Sequence, residues 1–273
     1  MKKIKMSHAL VGFLALNMVL ASHYFLSQST HSSGLPKAEV KAKTRLNKLP
    51  DFTVYTDVKE KKSAFFETLY PIIEEENRHV LRLRKVIQTL KGAPELTEPQ
   101  TEWLSTIATH YKVDETLPTD EMFTMLLRKV DFVPPSLALT QAAIESGWGS
   151  SRFARKGNNL FGQWCFTKGC GIVPSSRDSG KGHEVAKFST VNAAVRAYIK
   201  NLNTNAAYQD LRSKRASLRK SDSPVSGIAL ASTLTRYSEE GTEYVQKVTR
   251  FIQQNNLQRF NEQFSQASLI AAR

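Results

Sequence analysis

The chain has 273 residues with 13 Gly and 10 Pro, which suits one large domain or two small ones and excludes a low-complexity chain. Only two cysteines occur, which excludes a disulfide-stapled miniprotein. The 38 Lys and Arg against 25 Asp and Glu leave a net charge of +13, so partners met by long-range attraction are expected to be anionic: nucleic acid, anionic lipid or cell wall.

Lys2, Lys3 and Lys5 precede an apolar run from Ala9 to Ala21, the charge-then-apolar order of a secretory signal. The run is shorter than the roughly 20 residues a bilayer-crossing helix needs, although Phe25 and Leu26 extend it enough for a weak anchor. Residues 1–26 are therefore expected to direct export, as a signal peptide cut after Ala21 or as a retained membrane anchor. A buried N-terminal core helix accounts poorly for three lysines ahead of an uncharged run. Export places the protein in the periplasm and argues against nucleic acid.

Residues 27–56, rich in Ser, Lys and Pro, read as a linker or tether. From Asp57 the pattern is helical, and residues 57–130 are expected to form a helical N-terminal region. Phe65, Phe66, Leu69, Ile72, Ile73, Val80, Leu83, Ile87 and Leu90 recur at three and four spacing until Gly92. Glu74, Glu75 and Glu76, followed by Arg78, Arg82 and Arg84, read as a solvated face with i,i+4 pairs. Thr97-Glu98-Pro99-Gln100 opens a second helix through Trp103, Leu104, Ile107 and Tyr111, and a third spans Thr119 to Lys129.

The remaining units are a second folded domain over 131–258 and a tail over 259–273. Ser136 to Glu145 is apolar nearly all round, the mark of a buried helix. Gly171 to Arg177 and His183 to Ser189, joined by Asp178-Ser179-Gly180-Lys181-Gly182, suggest a short hairpin. Thr190 caps a helix carrying Val191, Ala194, Val195, Tyr198, Ile199 and Leu202, and further helices fit Val225 to Tyr237 and Thr242 to Asn255. Cys165 and Cys170 are expected to close a small loop in an oxidising compartment rather than bind metal. The histidines stand singly and no HExxH occurs, so neither metal nor cofactor is expected.

Glu145 is the most unusual acid. It ends an apolar helix, at the negative end of the helix dipole, and should keep its proton to an elevated pH, as a general acid requires. Trp148, Phe153, Phe161, Trp164 and Phe166 are interleaved with Asn158 and Asn159. Flat apolar faces for pyranose rings and amides for hydroxyl and acetamido groups suit a groove for a sugar polymer, although about half of these rings are expected to be core.

The segment Ala138-Leu139-Thr140-Gln141-Ala142-Ala143-Ile144-Glu145-Ser146-Gly147-Trp148-Gly149, with Asn158-Asn159-Leu160-Phe161-Gly162 after it, resembles the signature of the glucosaminidase family of peptidoglycan hydrolases. The likeness runs roughly from Pro134 to Asn256. It implies a mainly α (α+β), lysozyme-like fold, with a helical lobe facing a small β-hairpin lobe across a glycan cleft, and hydrolysis of β-1,4 bonds in peptidoglycan. Glu145 matches the family's general acid. Some members add a second carboxylate on the first hairpin strand, but Gly171 to Arg177 holds no acid, so Asp178 and Glu184 are the nearby candidates. Tyr237 resembles a family tyrosine near the cleft; Tyr198 and Tyr244 have similar matches but lie on apolar stripes. Trp148, Asn158, Asn159, Phe161, Trp164 and Tyr198 are the expected substrate-binding residues, in a monomer whose partner is peptidoglycan. A wall-binding protein without turnover and an amidase cutting the sugar-to-peptide bond are the competing readings.

Overall fold

The computed structural model describes residues 34–39, 45–175 and 182–270. The leader and Asp178 lie outside these residues. The body is helical. Helix α1 (Val58–Lys91) is followed by α2 (Glu98–His110), α3 (Thr119–Lys129), α4 (Pro135–Ser146) and α5 (Arg152–Gly157). Three short strands come next, β1 (Trp164–Cys165), β2 (Gly171–Ile172) and β3 (Glu184–Ala186), then α6 (Val191–Thr204), α7 (Gln209–Lys220), α8 (Gly227–Ala231), α9 (Thr242–Gln254) and α10 (Gln258–Ile270). Among the described residues, no helix is long and apolar enough to cross a membrane.

Helix α1, about 51 Å long at 1.5 Å per residue, is the spine. The Asp57 carboxylate accepts from the Lys59 and Glu60 amides at its start, and Gly92 ends it. Its apolar stripe is fully buried and packs against α3, α4 and α6, so the N-terminal region shares one core with the rest of the chain. Glu74 pairs with Arg78 one turn on, as the charge pattern implies, at 2.8 Å. Glu76 departs from the expected solvated face: it is buried and meets Arg196 of α6 at 2.8 Å. A long helix wedged between neighbours buries more of its circumference than its charge pattern suggests.

The expected tether is also more than a linker. The Leu46 amide donates to Asn192 at 2.9 Å, the Leu49 amide to Asn158 at 3.1 Å, and Trp103 donates to the Pro36 carbonyl at 2.6 Å. Leu49 and Phe52 are buried against the turn that follows α4. There Gly147, Trp148 and Gly149 all have positive φ, at 56°, 59° and 74°. A Cβ on Gly149 would lie 2.7 Å from the Phe52 ring, so the strap and this turn require each other.

The small lobe is a three-stranded antiparallel sheet in the order β1–β3–β2. Trp164 pairs with Val185, Cys165 with Glu184, Gly171 with Ala186 and Ile172 with Val185. The expected hairpin is therefore joined by β1, a third strand too short for any period to reveal. Helix α8 covers only part of the expected Val225–Tyr237 segment, and α7 and α10 were not anticipated. Asp131, 2% exposed at the α3–α4 connection, faces Arg84 of α1 and Arg215 and Arg219 of α7. This knot closes the helical body behind α4.

Candidate active site

Helix α4 delivers Glu145 to the floor of a cleft of about 1000 Å³ between the helical body and the sheet. Thr140 and Ser146 return their hydroxyls to the carbonyls of Ser136 and Ala142, which lets a polar sequence lie buried inside the core. Gly147, left-handed at φ 56°, ends the helix one residue after Ser146. Glu145 is thereby held in the last turn, with its carboxylate half-buried.

A hydrogen-bond chain with one polarity fixes that carboxylate. Tyr198 donates to Gln141 Oε1 at 2.5 Å, Gln141 Nε2 donates to the Tyr244 hydroxyl at 3.0 Å, and Tyr244 donates to Glu145 Oε1 at 3.0 Å. Since the Tyr244 oxygen already receives an amide proton, its own proton goes to Glu145. Oε1 is then permanently an acceptor, and the carboxyl proton belongs on Oε2. The Oε2 side faces Gly162, whose left-handed backbone (φ 62°) carries no side chain; a Cβ there would stand 3.9 Å from Oε2. Burial raises the Glu145 pKa; the Tyr244 hydroxyl and Lys247 pull it down and Glu240 pushes it up, and the balance stays above the ordinary carboxylate value. Burial likewise raises the phenols of Tyr198, Tyr237 and Tyr244, so all three remain protonated donors.

The other expected site residues divide. Phe161 lines the cleft and stacks on Tyr198 at 3.9 Å. Trp164, 58% exposed, and Phe166, 79% exposed, line it from the sheet, and Trp164 stacks flat on His183 at 4.2 Å. Tyr237 lines it too, donating to the Phe161 carbonyl at 3.3 Å and stacking on Tyr244. Tyr198 also lines the cleft but is nearly fully buried, with its hydroxyl committed to Gln141, so it supports the site rather than offering that hydroxyl to a ligand.

Three expected ligand contacts are instead structural. Trp148 packs between Phe65, Phe66 and Phe251 with Lys62 over its ring, joining α1 to α9, and is not among the cleft-lining residues. Asn158 spends its amide on the backbone of Asn47, Leu49 and Phe188. Asn159 does the same with Phe161, Gln163 and Ala186, tying the loop to the sheet. A short amide beside irregular chain satisfies backbone groups that would otherwise be buried unpaired.

Glu184, expected as a second carboxylate, is buried: its oxygens accept from the Gly169 amide at 3.0 Å and the Gly171 amide at 2.8 Å. It shapes the loop between β1 and β2, which the Cys165–Cys170 disulfide also closes, with Cα atoms 6.2 Å apart. The two sulfurs and a Glu184 oxygen lie within 4.8 Å of one another, but disulfide sulfurs have no thiolate to offer a cation. Among the described residues, the acids that line the cleft with Glu145 are Glu239 and Glu240, on the loop before α9. Glu240 pairs with Lys247 at 3.2 Å. The signal that could have found them is an acidic pair next to Gly241, two residues after Tyr237. Gln141 had a signal too: it is the amide one turn before Glu145 on a helix otherwise built for burial.

A profile of the glucosaminidase family, described as mannosyl-glycoprotein endo-beta-N-acetylglucosaminidase, matches residues 121–257. Protein bax of Escherichia coli (strain K12) is 36% identical over 197 residues, 72% of this chain and 70% of that protein. Exo-glucosaminidase LytG of Bacillus subtilis (strain 168) is 39% identical over 66 residues, 24% of this chain and 22% of that protein. No solved structure matches significantly. The chain belongs to the glucosaminidase family.

Proposed function

We propose that the protein is an exported peptidoglycan hydrolase of the β-N-acetylglucosaminidase type, cutting β-1,4 glycosidic bonds of the glycan strand with Glu145 as general acid. The observation that carries this reading is the Glu145 carboxyl, with a raised pKa, its proton directed to Oε2, and that oxygen turned to the floor of a cleft walled by exposed Trp164 and Phe166. In the reaction, Oε2 gives its proton to the glycosidic oxygen as the bond from the anomeric carbon breaks. Water then adds hydroxide to that carbon, and its remaining proton restores Glu145. Charge building on the sugar ring is met either by Glu239 or Glu240 or by the substrate's own acetamido group. The Trp164 and Phe166 faces suit the apolar sides of pyranose rings.

Mass spectrometry of products from purified peptidoglycan tests the assignment. The wild-type protein should release fragments ending in N-acetylglucosamine at the reducing end. Glu145→Gln should lower the rate by about 10²–10⁴-fold while remaining folded, because glutamine keeps the shape but has no proton to transfer. A comparable collapse in Glu239→Gln or Glu240→Gln alone identifies the second carboxylate, whereas mild losses in both favour substrate assistance. Free peptides as the product would support the amidase reading, and binding without products would support the wall-binding one.

A further inference from the structure

The charges lining the cleft are sorted by element. Its acids come from α4 and the loop before α9, and its lysines come from elsewhere: Lys200 from α6 and Lys112 from the turn between α2 and α3. Asn201, Thr204 and Asn205 continue the Lys200 wall with neutral polar groups. Lys112 sits on a pinned turn. Tyr111 and Val113 on either side of it are buried, its backbone is left-handed (φ 54°), and its carbonyl accepts from Lys129 Nζ. Its side chain is exposed, so the turn fixes the backbone from which an ammonium reaches over the cleft. Lys200 Nζ lies 3.3 Å from His110 Nδ1 and 3.7 Å from Glu39 Oε1; that carboxylate is itself half-exposed and too far for a direct hydrogen bond. Lys112 thus keeps its charge available to a ligand, and Lys200, although it shares its charge with Glu39, stays partly exposed on the cleft wall.

Glycosidic cleavage by Glu145 gives these two lysines no task, and a neutral N-acetylated sugar chain offers them no counter-charge. Peptidoglycan differs from such a chain in its carboxylates, carried by peptide stems or, where a stem is absent, by the lactyl group of the sugar. We infer that Lys112 and Lys200 form a carboxylate-reading subsite that selects glycan bearing acidic substituents. Lys112 precedes the family match at residues 121–257, so the inference makes the N-terminal helical region part of substrate selection. It rests on the glycosidase reading above and deepens it.

The test compares kcat/KM on peptidoglycan before and after carbodiimide coupling of its carboxylates to methylamine, which leaves the polymer intact and removes the charge. Neutralisation should slow the wild-type enzyme about three- to tenfold, the size of two partly exposed ion pairs. Lys112→Ala/Lys200→Ala should be slower on native polymer by the same factor and nearly insensitive to neutralisation. Lys112→Arg should keep the preference. If the double variant fails to fold, Lys112→Ala alone, altered only at an exposed side chain, should lose about half of the logarithmic preference. Strands stripped of peptide by an amidase, which frees the lactyl carboxylate, separate the two sources: retained preference means that the lactyl carboxylate is read where a stem is absent, and lost preference that only the peptide carboxylates are read. The inference is overturned if neutralisation leaves the wild-type rate unchanged, or if the double variant discriminates as well as wild type. If the wild-type enzyme releases no glycan fragments from any substrate, the glycosidase reading itself falls and takes the inference with it.

Discussion

Asp131 and Glu145 are both carboxylates in the helical body, and their surroundings have opposite effects. Burial pushes the Asp131 carboxyl up, but Arg215, Arg219 and Arg84 outweigh it and hold the group below its ordinary range. Around Glu145 burial wins: its close partner is a phenol, and Lys247 acts only through space. The first arrangement makes a permanent anion that joins α1, the α3–α4 connection and α7. The second makes a carboxyl that holds a proton and can release it. Two uses of the same functional group are set by whether guanidinium or hydroxyl surrounds it.

The largest expected effect tests the structural half of this contrast. Asp131→Asn leaves Arg84, Arg215 and Arg219 without their shared anion, with Arg215 fully buried. It should destabilise the fold by about 3–5 kcal/mol, read from urea unfolding monitored by tryptophan fluorescence. Asp131 has a lowered folded-state pKa, so its stabilisation is present above the unfolded-state value and is lost as pH falls through the folded one. The difference between wild type and variant should therefore shrink in acid. A variant as stable as wild type would mean that the carbonyl partners of Arg84 and Arg215 suffice to hold them.

The functional half is sharpened by a smaller change, Tyr244→Phe. It removes the donor to Glu145 Oε1 and leaves the Gln141 amide proton without an acceptor. Because the hydroxyl favours the ionised form of Glu145, its loss should raise that pKa further, so the alkaline limb of the pH–rate profile should move up. With the proton no longer confined to Oε2, the maximal rate should fall about tenfold, near the upper end of the roughly 0.5–1.5 kcal/mol a typical hydrogen bond contributes. A lower rate with an unmoved profile would reduce Tyr244 to a packing role.

How much of this was legible in the sequence depends on the kind of signal. The helices that carry a clear apolar stripe were readable, as with Thr119–Lys129, and α6 was readable together with its Thr190 cap. Helix α7 was not, because its buried face is Leu211, Arg212 and Arg215, and arginines ordinarily read as solvent. The strap was missed because Leu46, Leu49 and Phe52, though three residues apart, are isolated apolar residues in a Lys-, Asn- and Pro-containing stretch too short to make a stripe. Glu145 stood out as an acid where apolar residues were expected. Asn158, Asn159 and Trp148 were misread for a physical reason: an amide suits a sugar and a peptide carbonyl equally, and a ring suits a pyranose and a core equally. Only the fold decides between them. Glu184 failed in the same way, since an acid near a cleft and an acid tying down two glycine amides have the same spelling.

The smallest expected effect concerns what Glu145 costs the fold. Its folded-state pKa is raised, so between the unfolded and folded values the native state keeps a proton that the unfolded chain has lost. Native stability therefore falls as pH rises through that interval, and above it the penalty of an ionised, half-buried carboxylate is fully present. Glutamine at this position is neutral at every pH and can still accept from Tyr244. Glu145→Gln should accordingly unfold at a higher urea concentration than wild type at about pH 7, with the gain disappearing at about pH 3.5, where the wild-type Glu145 carboxyl is protonated in the folded and the unfolded state alike. The sign is opposite to that expected for Asp131→Asn, so the same pair of unfolding curves compares the two carboxylates directly. A Glu145→Gln protein less stable than wild type at neutral pH would mean that Tyr244 and Lys247 hold Glu145 as a settled anion, and its role as proton donor would have to be given up.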